Sequence, residues 1–111
     1  MRHPALAVLL TVATLAATPA RADELPTFRL SIAAGRFQPE MLEVPANTKF
    51  RVVIKNEGPG AAEFESTELK KEKVLAPGVE SFLVFAPLKP GSYRFFDEFH
   101  SDTGQGRIVA R

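Results

Sequence analysis

The stretch from Tyr93 to Gly106 reads Y-R-F-F-D-E-F-H-S-D-T-G-Q-G and gathers one histidine, His100, with three acids, Asp97, Glu98 and Asp102. Imidazole and carboxylate side by side are donors for borderline and hard metal ions. A second acidic stretch, Glu63-Phe64-Glu65-Ser66-Thr67-Glu68, lies upstream. If Phe64 points into a core, Glu63 and Glu65 share the opposite face. The Glu65-x-x-Glu68 spacing would also put two carboxylates on one side of a helical turn. Such an oxygen-rich cluster suits Fe(III), whereas the neighbouring Lys70, Lys71 and Lys73 suit an ion-paired surface helix equally well. A hydrolase triad is excluded, because there is no cysteine and no nucleophile-elbow pattern of glycines around a serine.

The elements that must position these residues read as strands. Thr27 to Ile32 alternates with period two, and so does Lys49 to Lys55, which puts Phe50, Val52 and Ile54 on one side. Met41 to Val44, Ala61 to Phe64, Ser81 to Phe85, Ser92 to Phe96 and Arg107 to Ala110 are further short segments. Asn56-Glu57-Gly58-Pro59-Gly60, Pro77-Gly78 and Pro90-Gly91 supply turn signals between them. Only Ser66 to Glu72 has helical composition, with Ser66 as a cap. The expectation is an all-β sandwich with one short helical segment.

The N-terminus carries Arg2 and His3, then an apolar run from Ala5 to Ala17, then Ala20-Arg21-Ala22. That pattern is expected of a secretory signal peptide over 1–22, cleaved after Ala22 to leave one domain over 23–111. The apolar run is short for a bilayer span, so no stable membrane insertion is expected. Loss of Arg2 and Arg21 leaves 12 basic residues against 13 acidic ones, a formal net of −1. No basic stripe remains to bind nucleic acid. With no cysteine, stability rests on a core to which nine phenylalanines contribute, with a metal as the other available support.

Several landmarks occur in a recognisable order: Phe37-Gln38-Pro39, Leu42-x-Val44-Pro45-Ala46, the strand from Phe50 to Asn56, Pro77-Gly78, Pro90-Gly91-x-Tyr93-x-Phe95-Phe96, and Gly104-x-Gly106-x-Ile108-Val109. Together they resemble the cupredoxin family, from about Phe28 to Val109. The resemblance implies a Greek-key β-sandwich with a metal at one end. It places Asp97 where the family has its cysteine, His100 at the Cys-x-x-His spacing, Gln105 at the axial position and Glu63 at the first histidine. A blue-copper centre needs a thiolate, so the implied ion is non-blue Cu(II) or iron, held by Glu63, Asp97, His100 and Gln105. Glu65 is an alternative upstream ligand, and Glu68 is a further carboxylate candidate. Glu98 and Asp102 are candidates to accept the second N–H of the histidine. Met41, the one methionine after the leader, is a candidate thioether donor, and its place beside Leu42 and Val44 suits ordinary packing as well.

More narrowly, Glu63-Phe64-Glu65-Ser66, Glu68-Leu69, Glu72-Lys73-Val74 and Phe95-Phe96-Asp97-Glu98-Phe99-His100 resemble cysteine-free periplasmic proteins that accompany bacterial high-affinity iron permeases. That resemblance implies a periplasmic metal-binding protein supporting iron uptake, with a permease or other uptake component as partner. Copper-dependent Fe(II) oxidation is the enzymatic version, and binding without turnover is the simpler one. The alternative of a different class is a metal-free cupredoxin-fold interaction module of a membrane transport complex.

Overall fold

A computed structural model of the chain describes residues 2–5, 7–9, 11, 13 and 24–111. The expected cleavage point at Ala22 lies outside the described residues. Among those residues no helix is long and apolar enough to cross a membrane.

Among the described residues nine strands build two facing sheets. They are β1 (Thr27–Ala33), β2 (Arg36–Gln38), β3 (Met41–Val44), β4 (Phe50–Gly58), β5 (Ala62–Ser66), β6 (Lys71–Leu75), β7 (Glu80–Phe85), β8 (Gly91–Phe96) and β9 (Gln105–Ala110). One sheet runs β2-β1-β4-β7 and the other β3-β9-β8-β5-β6. The pairs β1/β4 and β3/β9 are parallel and the rest antiparallel. The fold is the expected all-β cupredoxin-like sandwich.

Alternation generates the core, because every second residue of a strand faces the opposing sheet. Leu30 and Ile32 of β1, Phe50, Val52 and Ile54 of β4, and Ile108 and Ala110 of β9 are all buried. Phenylalanines pack both within and between the sheets. Within a sheet Phe50 stacks on Phe85 with centroids 4.8 Å apart and Phe64 on Phe95 at 4.9 Å; between sheets Phe37 meets Phe95 edge-on at 4.8 Å and Phe64 meets Phe85 edge-on at 6.2 Å. A polar tie supplements them: Asn56 of β4 donates from Nδ2 to the Gly60 and Leu75 carbonyls, the latter in the opposite sheet.

Two expectations are corrected. Ser66 to Glu72 is not a helix: β5 runs to Ser66, Thr67 to Lys70 form a turn, and β6 begins at Lys71. Ser66 Oγ still accepts from the Leu69 amide, so the capping residue closes a hairpin turn instead of a helix. Lys70 takes φ 54° there and reverses the chain. The helical content lies instead in one 3₁₀ turn, Glu98–His100, between β8 and β9. The second correction is at Asn56, which does not end β4; pairing with β1 carries that strand on to Gly58.

Candidate metal centre

The β8–β9 loop begins at Asp97, which caps the 3₁₀ turn. Its Oδ1 accepts from the Phe99 amide at 2.9 Å, and its Oδ2 meets Nδ1 of His100 at 2.8 Å. A short acidic side chain suits this place, since it accepts from backbone amides two or three residues on. Asp97 is 0% exposed and both its oxygens are engaged. It therefore orients the histidine ring, which leaves Nε2 as the ring atom open to a ligand.

The loop closes tightly around this pair. The Asp97 amide donates to the Gly104 carbonyl at 2.8 Å and the Gly104 amide to the His100 carbonyl at 2.7 Å. A Cβ at Gly104 would lie 2.7 Å from the Asp97 Cβ. The other sheet holds the loop as well, through the β1–β2 turn. Gly35, at φ +72°, packs so close to the His100 ring that a Cβ there would fall 2.6 Å from it, and Thr103 Oγ1 donates to the Gly35 carbonyl at 2.8 Å. Sequence reasoning missed Gly35 and Thr103, since only the tertiary packing of a distant turn reveals them.

The second group lies on the outer face of the β3-β9-β8-β5-β6 sheet. Phe64 is buried in the core, so period two turns Glu63 and Glu65 outward together, as expected. Register then adds a third acid: Glu65 pairs with Glu72 of β6 on one side and with Phe96 of β8 on the other. One carboxylate oxygen from each of Glu63, Glu65 and Glu72 lies within 4.8 Å of the other two. This is the one such group of three or more among the described residues, and neither Asp97 nor His100 belongs to it.

Glu63 is buried, and the 3₁₀ turn lies against its strand, β5; Glu65 is half-buried and Glu72 exposed. The neighbouring lysines do not neutralise them. Lys71 and Lys73 alternate onto the other face of β6, where the Lys71 ammonium lies 5.7 Å from the centre of the Phe85 ring. No ion pair reaches the three glutamates among the described residues. Burial above all, then hydrogen bonding with Glu72 and the charge of Glu65, pushes the Glu63 carboxyl up to about 7. Two charges 4.8 Å apart at an effective dielectric of about 20 repel by roughly 3 kcal/mol. A bound cation would remove that repulsion.

The expected ligand set is thus divided. Glu63 joins Glu65 and Glu72, while Asp97 and His100 form their own pair. Gln105, in β9, donates from Nε2 to the Ser101 carbonyl at 2.9 Å. Glu68 lies in the β5–β6 turn, where Oε1 accepts from the Arg94 amide, so the helical pairing with Glu65 does not form. Glu98 and Asp102 are exposed, and the acceptor at the histidine is Asp97 instead. Met41 is a half-exposed residue of β3, which pairs with β9 and is separated from β5 and its glutamates by two strands in the sheet order. Glu72 was legible only as part of a motif; its role needs the β5–β6 register.

With no cysteine in the chain, the trigonal thiolate site of blue copper does not fit these residues. Three carboxylates fit a hard or borderline ion such as Fe(III), Fe(II), Mn(II) or Cu(II) in a non-blue site.

Comparison with known proteins agrees with the architecture. The family described as Cupredoxin-like domain matches residues 5–110. An uncharacterized protein of Rickettsia prowazekii is 40% identical over 87 residues, which are 78% of this chain and 70% of that protein. Among solved structures, reduced auracyanin from Roseiflexus castenholzii superposes with a TM-score of 0.64 at 13% identity, over 77% of this chain and 96% of that one. The periplasmic domain of cytochrome oxidase subunit II from Bradyrhizobium japonicum gives 0.66 at 13% identity, over 79% and 86%. A purple cupredoxin from Nitrosopumilus maritimus gives 0.55 at 17%, over 76% and 99%. At such identities the likeness to these structures is one of fold.

Proposed function

This chain belongs to the cupredoxin-like domain family, and from that premise we propose that it is a metal-binding protein that holds iron or non-blue Cu(II) on the Glu63, Glu65 and Glu72 face and serves iron uptake in the periplasm. The observation that carries the reading is a buried carboxylate, Glu63, aimed into two others with no counter-charge among the described residues. Buried charge is ordinarily paired or bound to metal. The bound ion would supply the positive charge that the cluster lacks.

Each residue has a part in this. Glu63 provides a desolvated oxygen whose attraction to a cation is little screened. Glu65 and Glu72 complete a hard donor set and leave room for the ion to exchange, as delivery to a permease requires. His100, held by Asp97, borders this region without joining the cluster. Binding without turnover is the reading that the carboxylate donors favour.

Titration of the protein with Fe(II), Mn(II) and Cu(II), followed by calorimetry, tests the site. Tight binding of one equivalent that is lost in Glu63→Gln is the expected result. Equal affinity in wild type and Glu63→Gln would sink the assignment and leave the metal-free interaction module. Radioactive iron uptake by cells lacking the protein tests the transport role; unchanged uptake would separate metal binding from iron supply.

A further inference from the structure

Beside the three carboxylates lies a crevice of about 190 Å³ lined by Thr67, Glu68, Arg94 and Phe96. Strand register fixes its relation to the cluster. Phe96 is the direct neighbour of Glu65, which is the direct neighbour of Glu72. Arg94 stands two residues before Phe96 on the same face, and Glu63 two residues before Glu65 on an antiparallel strand. Along the sheet, therefore, Arg94 is at one end, Phe96 with Glu65 in the middle and Glu63 at the other end. Residues two apart on a strand are separated by about 7 Å.

The backbone of Arg94 is tied down on both sides. Its carbonyl accepts from Ser66 Oγ at 2.7 Å and its amide donates to Glu68 Oε1 at 3.4 Å. Its side chain is exposed, and no ion pair engages it among the described residues. A guanidinium held beside a cation site presents two N–H groups in the geometry that a carboxylate or carbonate matches.

Charge makes the arrangement selective. Three ionised carboxylates neutralise a trivalent ion, and three monodentate oxygens fill half of an octahedral sphere. A further oxyanion could complete that sphere if a fixed cation offset its charge. With a divalent ion the same cluster keeps a net negative charge and repels the anion. The crevice has room for about six water-sized groups, enough for carbonate or a small hydroxycarboxylate.

Resting on the cation site proposed above, we infer that Arg94 and its crevice form an oxyanion subsite, so that a trivalent ion is bound together with a carboxylate or carbonate bridging it to Arg94. Arg94 is here a specificity-determining residue: it contacts the co-ligand and selects the higher oxidation state through it. The two hydrogen bonds anchor the Arg94 peptide two residues from Phe96, the strand neighbour of Glu65.

Tb(III) luminescence tests this on the full protein, because the excited-state lifetime counts water on the ion. Tb(III) alone, Tb(III) with bicarbonate, and Tb(III) with lactate are compared in wild type, Arg94→Gln and Glu63→Gln, with Mn(II) as the divalent control. Wild type should bind Tb(III) about tenfold more tightly when one of the anions is present, with loss of bound water, whereas Arg94→Gln should gain less than twofold. Mn(II) should show no anion effect. Whichever anion acts identifies the source, carbonate or hydroxycarboxylate. Tb(III) binding that depends on Glu63 but responds equally to anion in wild type and Arg94→Gln, or not at all in either, overturns the oxyanion subsite and spares the cation site. Failure of wild type to bind Tb(III), Mn(II) or iron overturns both. An unchanged melting temperature for Arg94→Gln confirms that its fold is intact.

Discussion

Glu63 and Asp97 are the two buried carboxylates among the described residues, 2% and 0% exposed, and the fold treats them in opposite ways. Asp97 has a backbone amide on one oxygen and an imidazole nitrogen on the other. Glu63 faces two more carboxylates, and every influence on it favours the proton. One is a finished internal structure; the other is incomplete until a proton or a cation arrives. Satisfied polar groups hold a fold in place, whereas unsatisfied ones mark where a fold expects company.

Removing Glu63 strikes this contrast hardest. Loss of a residue that merely supports a metal ligand costs about 10- to 100-fold in affinity, so Glu63→Gln should lower metal affinity at least 100-fold, as read by competition with a chelator. The same change should stabilise the metal-free protein above neutral pH. The sign follows from the raised carboxyl: between about 4.5 and about 7 the folded state keeps a proton that the unfolded state has lost. Stability is therefore greatest below that window and falls as pH rises through it, by at most about 3.5 kcal/mol at about 1.4 kcal/mol per unit. Urea denaturation at pH 5 and pH 8 should show this fall in wild type and a flat response in Glu63→Gln. An identical slope in both would move the titration elsewhere.

The Asp97 side of the contrast predicts structural losses. Gly106→Ala, which drives a Cβ to 2.5 Å from the Phe95 ring and 2.6 Å from the Glu40 carbonyl, should cost about 2 kcal/mol by overpacking and leave metal affinity alone. Asp97→Ala removes the cap and strands the Phe99 amide, for about 1 to 2 kcal/mol in the same denaturation assay. The smallest expected effect is that of His100→Ala on the carboxylate site, less than threefold in affinity. A large loss there would join the two regions into one centre and abolish the contrast.

Much of this division was legible in the residues. Met41 to Val44 reads as a strand between turn formers and is one, and alternation around Phe64 put Glu63 and Glu65 on one outward face. What local pattern cannot carry is pairing. Lys71-Glu72-Lys73 has helix-forming composition and becomes β6 only because β5 offers it an edge, and that pairing alone brings Glu72 to Glu65. The short β2 escaped notice because three residues hold no period. At Asp97 the sequence marked the end of a strand and the start of a loop, yet spacing carries no information about where a carboxylate directs its two oxygens.

The bond from Asn56 to the Leu75 carbonyl joins the two sheets by an amide. A sandwich joined this way has no oxidative step in its maturation. With no cysteine in the sequence, thiol reductants and thiol-exchange catalysts should leave its folding rate untouched.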